Sequence, residues 1–386
     1  MTSSIKLTPR VLLEEKDAPE VTTPDLSKLS LCDFDDYGVI GKGAMGSVHL
    51  VHVRGQPLNE HVYAMKVIDC KNNETKAERI NEELKILSLT NHRLIATKCA
   101  QYITENKTNI LMEYCSGGEF FQMVHRRGCS GLPEHVAKFY AAEVLVALDY
   151  LHSIGVVYRD LKPENVLIHA TGHIRLTDFD LSKLIRHRRR SQYVSQIMHN
   201  IKSYFKPQEA SGLTSLRKLK AMVGTAEYIG PEVLGDKGYT AAVDWWTLGV
   251  FLYEMIYAKT PFAGRSTDET LRKISEYKDN IIIPRNNAYG AVSKECRDLI
   301  CKLLTSVPQM RIGYCKGASE IKAHPFFKDV VFEKIWEQKA PITPDSPSGF
   351  ERRSSLGCDP EQVLKVLKEI DDSFYESDTD SQSPPE

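Results

Sequence analysis

Arg159, Asp160, Lys162 and Asn165 crowd into one short stretch, "YRDLKPEN" (158–165), and "LTDFDLSKL" (176–184) follows with Asp178 and Asp180. These types suit phosphoryl transfer, in which positioning and charge stabilisation supply most of the catalysis. Asp160 would accept the proton of a hydroxyl, and Lys162 would neutralise a moving phosphoryl group. Asn165 and Asp178 would hold magnesium against phosphates. The bland reading, a solvated polar turn, loses weight because further motifs precede these in a fixed order.

The first is "GKGAMGSV" (41–48), which fits G-x-G-x-x-G-x-V. Gly41, Lys42, Gly43, Ala44, Met45, Gly46, Ser47 and Val48 form a candidate ATP-phosphate cradle, since glycines let backbone N–H groups approach closely. Alone the pattern is weak, because glycine-rich hairpins are common. A strand rather than a helix follows it, which separates it from a dinucleotide fingerprint. The second is Lys66 in "YAMKVI". A lysine inside an apolar strand needs a partner, because an unpaired buried ammonium is costly. Glu83 in "NEELKIL" is the first candidate, and Glu82 is the rival one residue away.

The elements that must position these groups are legible as patterns. "VIGKGAMGSVHLVHV" predicts two strands joined by a tight turn, and "HVYAMKVID" a third. "AERINEELKILSLT" predicts a helix with Ile80, Leu84 and Leu87 on one face. "HVAKFYAAEVLVALDYLHSIG" predicts a long helix ended by Gly155. "VLIHATGHIRLTDF" predicts a strand pair turning at Thr171–Gly172. Strands dominate the first hundred residues and helices the rest, an α+β, two-lobe layout.

The 386 residues are 42% hydrophobic and 26% charged, with net charge −1. That composition suits a soluble globular chain and gives no global field toward DNA or a membrane. Nine cysteines without paired metal spacing, and no signal peptide, lead us to expect a reducing intracellular setting. The apolar "WWTLGVFLYEMIYA" (245–258) contains a glutamate, is too short to span a bilayer, and reads as a buried helix. Residues 1–36 are expected to form a flexible leader. Residues 185–220, with "RHRRR" at 186–190, read as a long loop insertion. Residues 328–386 read as a tail, largely disordered at its end, with a helix at 360–370.

Residues 37–327 resemble a eukaryotic serine/threonine protein kinase of the AGC group. "YRDLKPEN" with Tyr158 in place of histidine, "GTAEYIGPEVL" (224–234), "AVDWWTLGVFLYEM" (242–255) and "HPFF" (324–327) carry the resemblance. Asp180 at the third position of the metal-binding tripeptide, with a long insertion before "GTAEY", is similar to the fungal flippase kinases and the plant phototropin-like kinases. That branch contains active kinases with this aspartate. The resemblance implies a small mostly β lobe and a larger mostly α lobe, with ATP and Mg2+ as cofactors. It implies a hinge at "MEYC", with Met112 beside the adenine and Glu113 and Cys115 contacting the nucleotide. It also implies a bracing ion pair between Glu232 and Arg311, and an Asp244 that holds the catalytic loop. Glu119, Glu164 and Glu254 match acidic residues around the peptide site, Glu119 also as a ribose contact.

Some positions depart from the pattern. Gly230 replaces an alanine before Pro231, and Lys98 or Cys99 stands where a large apolar residue completes the small lobe's spine. The tail has no F-x-x-F motif, and Ala221 replaces the serine or threonine that carries an activation-loop phosphate.

The expected activity is transfer of the ATP γ-phosphate to serine or threonine of proteins, at sites with upstream arginine. Two other readings stand beside it: a catalytically weak pseudokinase scaffold and an NDR-type kinase. Ser355, in "RRSSL" (352–356), and Thr214 and Ser215 in the insertion are candidate phosphosites. The 186–190 run is a candidate contact for acidic lipid or an import receptor. We expect a monomer with no DNA partner, cytoplasmic and also nuclear or membrane-peripheral.

Overall fold

A computed structural model describes residues 24–43, 45–56, 61–70, 74–125, 131–185, 225–234 and 240–343. Five antiparallel strands form the first sheet: β1 (Phe34–Lys42), β2 (Gly46–Val53), β3 (Val62–Asp69), β4 (Lys98–Ile103) and β5 (Lys107–Glu113). Their order is β1-β2-β3-β5-β4. Lys66 is central in β3, opposite Val48 of β2 and Ile110 of β5. Helix α1 (Glu74–Leu89) buries Ile80, Leu84 and Leu87, the face that the spacing predicts.

The strand order begins earlier than the sequence suggests. Phe34 is buried and packs edge-to-face on Tyr102, and the Tyr102 hydroxyl donates to the Leu26 carbonyl at 2.9 Å. Residues 24–36 therefore do not behave as part of a flexible leader; Leu26, Leu29 and Leu31 pack on the outer face of the sheet.

The second lobe is helical: α2 (Phe120–Val124), α3 (Glu134–Ser153), α4 (Pro231–Leu234), α5 (Ala242–Tyr257), α6 (Thr267–Ser275), α7 (Lys294–Leu303) and α8 (Ala318–Lys322). Helix α3 stops where expected, with Gly155 at φ +82°, a conformation that favours glycine. Helix α5 is buried along almost its whole length, as its apolar sequence requires. Packing does not end at residue 327. Phe332, Ile335 and Ala340 are buried, and the Tyr140 hydroxyl donates to the Ile342 carbonyl at 3.3 Å. The expected helix at 360–370 lies outside the described residues, among which no helix is long and apolar enough to cross a membrane.

Short strands between the lobes position the polar motifs. These are β6 (Gly118–Glu119), β7 (Val156–Val157), β8 (Val166–Ile168), β9 (Ile174–Leu176) and β10 (Lys183–Leu184). β7 pairs with β10 and β8 with β9, both antiparallel. The 158–165 loop runs from β7 to β8, and residues 177–182 run from β9 to β10. The two pairings therefore hold these loops side by side. The Thr177 N–H donates to the Asn165 carbonyl at 3.0 Å, and the Ser182 hydroxyl to the Tyr158 carbonyl at 3.1 Å.

Candidate active site

Lys66 meets two carboxylates. Its Nζ lies 2.6 Å from Glu83 Oε1 and 2.9 Å from Asp178 Oδ1. Glu83 is buried and Glu82 exposed, so helix geometry selects between the two candidates. Burial alone would push the Lys66 ammonium down. Asp178 and Glu83 outweigh it and hold its pKa above the usual lysine value.

Asp160 is 4% exposed. Lys162 Nζ lies 2.8 Å from its Oδ2, and the Asn165 side-chain amide donates to the same oxygen at 2.7 Å and to the Asp160 carbonyl at 2.9 Å. Asp160 Oδ1 is buried and has no hydrogen-bond partner among the described residues. Burial pushes this carboxyl up to about 6, against the pull of Lys162 and Asn165. A buried acceptor without a partner is costly, and such atoms mark sites where another group completes the bonding. The Asn165 side-chain nitrogen makes both of these bonds, and its side-chain oxygen takes no part in them.

The backbone around these groups is strained. Arg159 has φ +68° and Asp178 φ +59°, left-handed values uncommon for residues with a Cβ. The surroundings hold the strain in place. Asp244, fully buried, accepts from the Tyr158 N–H at 2.9 Å and the Arg159 N–H at 2.7 Å. His152 Nε2 lies 2.7 Å from the same carboxylate. Phe179 packs edge-to-face on Tyr158, with ring centroids 5.4 Å apart. Arg311 donates to both oxygens of Glu232, at 2.7 and 3.0 Å, and to the Ala242 carbonyl at 2.7 Å. The bracing roles read from the sequence for Asp244 and for the Glu232–Arg311 pair thus have direct geometric counterparts.

Asp180 is half-buried. Desolvation and then Asp178 raise its pKa, while Lys66, Lys162 and Arg79 draw it down. It therefore sits in the field of the same cleft without replacing Asp178 beside Lys66.

In the glycine-rich hairpin, a Cβ on Gly46 would lie 2.0 Å from the Val67 carbonyl oxygen, so glycine here permits β2 to pack on β3. A Cβ on Gly43 would meet nothing within 4 Å, so that turn leaves open space. Ala44 lies outside the described residues. At the hinge, the Glu113 carboxylate is already engaged: it accepts from the Thr97 N–H at 2.6 Å and from Arg175 Nε at 3.0 Å. That carboxylate braces the hinge against β9. Cys115 is buried, and burial pushes its thiol up. Lys98 is the residue on β4 that reaches α1: its Nζ donates to Ser88 Oγ at 2.7 Å and to Gln101 Oε1 at 3.2 Å. A polar bridge stands where the pattern has an apolar contact.

The acidic residues expected around a peptide site differ in exposure. Glu164 is exposed. Its carboxyl is pushed up by desolvation and, against Lys162, by Glu254 and Glu119, so the three share one electrostatic neighbourhood. Glu254 is 5% exposed rather than open to the cleft. His125 Nε2 lies 2.7 Å from its Oε1, and the Tyr228 hydroxyl donates to its Oε2. The sequence reading missed His125, Tyr228 and Arg175. Each acts through a contact distant in sequence, and no local pattern marks it. Thr214, Ser215, Ser355 and the 186–190 run lie outside the described residues.

Residues 34–327 match the family described as "Protein kinase domain", and the chain belongs to that family. Within it the chain is an AGC-group kinase by resemblance to named relatives. It is 40% identical over 320 residues to serine/threonine-protein kinase nrc-2 of Neurospora crassa, covering 82% of this chain and 51% of the relative. It is 40% identical over 319 residues to Flippase kinase 1 of Saccharomyces cerevisiae, covering 81% of this chain and 34% of that one. It is 36% identical over 362 residues to protein kinase PINOID of Oryza sativa subsp. japonica, covering 85% and 72%. The chain thus spans about half the length of nrc-2 and about a third of Flippase kinase 1.

Proposed function

We propose that this chain is a serine/threonine protein kinase that transfers the γ-phosphate of ATP, with Mg2+, to proteins carrying arginine upstream of the target residue. The observation that supports it best is the convergence of Lys66, Glu83 and Asp178 beside a buried Asp160 with one oxygen unpartnered.

The donor set fits the cofactors. Magnesium is held by a few carboxylate or carbonyl oxygens together with phosphates and waters, rather than by an all-protein cage. Asp178 and the Asn165 oxygen are such donors. ATP and magnesium, when bound, supply the phosphoryl group and part of the neutralisation of its charge. Lys66, kept protonated by its two carboxylates, orients Asp178 and would hold phosphate oxygens of the nucleotide. Asp160 accepts the proton of the attacking hydroxyl at Oδ1. Lys162, 2.8 Å from Oδ2, keeps positive charge beside the transferring group. Glu119, Glu164 and Glu254 supply negative charge for the arginine. A scaffold without chemistry would lack one of Lys66, Asp160, Asn165 or Asp178, and all four are present.

The test is a positional peptide array phosphorylated by the purified chain with labelled ATP and Mg2+. Serine or threonine labelling that needs upstream arginine supports the proposal. Acidic or proline-directed preference overturns its substrate part, and no magnesium-dependent labelling overturns the whole.

A further inference from the structure

Glu254 projects from α5 into the acidic neighbourhood, but its oxygens are held by groups from elsewhere in the lobe. The Tyr228 hydroxyl, on a tyrosine only 6% exposed, donates to Oε2. His125, at the end of α2, places Nε2 at 2.7 Å from Oε1. The two arms differ in depth. The His125 side chain keeps 25% of its exposure while that of Glu254 keeps 7%, so the imidazole is the outer cover. Phe121 stacks on the ring, with centroids 4.3 Å apart and planes at 30°, and fixes its direction. A guanidinium binds a carboxylate best when both oxygens face its fork. With Tyr228 deep and His125 outside, the His125 side is, among the described residues, the one that can be cleared for an incoming cation.

We infer that His125 is a specificity-determining residue, which covers the Oε1 side of Glu254 and sets how strongly an arginine upstream of the target residue is held. This rests on the reading that Glu119, Glu164 and Glu254 receive a basic peptide. An incoming guanidinium must replace the imidazole N–H on Oε1. Arginine recognition is therefore weaker with His125 in place than it would be at an open carboxylate, and removing the ring releases it.

The test compares two peptides that differ only by arginine or alanine at the preferred upstream position. KM and kcat are measured for wild type, His125→Ala and His125→Gln, and each variant's thermal midpoint is recorded. In His125→Ala the ratio of KM for the alanine peptide to KM for the arginine peptide widens about fivefold or more, the scale of one ordinary net hydrogen bond. In His125→Gln, whose amide still donates to Oε1, the ratio stays near that of wild type. If the ratio does not move in His125→Ala, or if both variants move it alike, the inference falls. If wild type itself does not distinguish the peptides, the arginine-directed reading falls, and the inference with it.

Discussion

The Lys66 ammonium meets the Asp178 carboxylate at 2.9 Å although 112 residues separate them in the chain. One is in the middle of β3 in the small lobe; the other follows β9 at the top of the large lobe. Their contact, with Glu83 on the other side of the lysine, holds both lobes and α1 in one arrangement. Buried charges persist only when paired, and the nearly buried Lys66 ammonium is paired on both sides.

Replacing Lys66 by methionine should therefore do more than remove one charge. It leaves Glu83 and Asp178 without their shared counter-ion and takes away the phosphate contact. Turnover on an arginine-containing peptide should fall by about a hundredfold or more, the usual cost of losing one preorganised charged donor. Steady-state kinetics with a circular dichroism check of the fold decides it. A loss smaller than threefold would contradict the role given to Lys66.

The Glu232–Arg311 pair should govern stability rather than chemistry. Arg311 is 2% exposed, bidentate to Glu232 and bonded to the Ala242 carbonyl. Arg311→Met leaves a nearly buried carboxylate uncompensated, and breaking such a pair costs about 3–5 kcal/mol. Urea unfolding should show this loss. The double variant Arg311→Met/Glu232→Gln, which removes both charges, should recover part of it.

The acid limb of the pH profile should belong to Asp160. Its carboxyl is pushed up to about 6, so below that pH it is protonated and cannot accept a proton from the hydroxyl. The sign follows: kcat/KM should be level above the limb and fall as pH drops through it, by about tenfold per pH unit well below. A profile flat down to pH 5 would contradict the assignment of Asp160 as the base.

Activation should not require a phosphate at the usual loop position, because Ala221 there has no hydroxyl. Protein made in bacteria, treated with phosphatase and confirmed unmodified by mass, should still turn over peptide. Near-zero activity restored by a partner kinase acting on Thr214 or Ser215 would overturn this. The same mass analysis after incubation with ATP should find Ser355 phosphorylated.

What was legible in the sequence was mostly local. Glycine at Gly155, the face of Ile80, Leu84 and Leu87, and the turn at Gly172 follow from short-range periodicity and backbone preference. The crowding of "YRDLKPEN" marked the loop that carries Asp160. The partnership of Lys66 with Glu83 followed from the cost of a buried ammonium, although choosing it over Glu82 needed the phase of α1. The occupied state of Glu254 and Glu113 was not legible. His125, Tyr228 and Arg175 reach them only after the chain has folded, and a histidine or arginine on a short element carries no signal of its target. The start of the first lobe was misplaced for a similar reason: Phe34 looks unremarkable until Tyr102 packs on it.

The central claim is that Asp178 makes a magnesium-dependent phosphoryl transfer site out of this cleft. The measurement is turnover of wild type and Asp178→Ala with labelled ATP, Mg2+ and an arginine-containing peptide, in protein of matched thermal midpoint. Activity should be magnesium-dependent in wild type and fall by orders of magnitude in the variant. Retention of more than about a tenth of wild-type turnover, a barrier change below roughly 1.4 kcal/mol, would contradict the account.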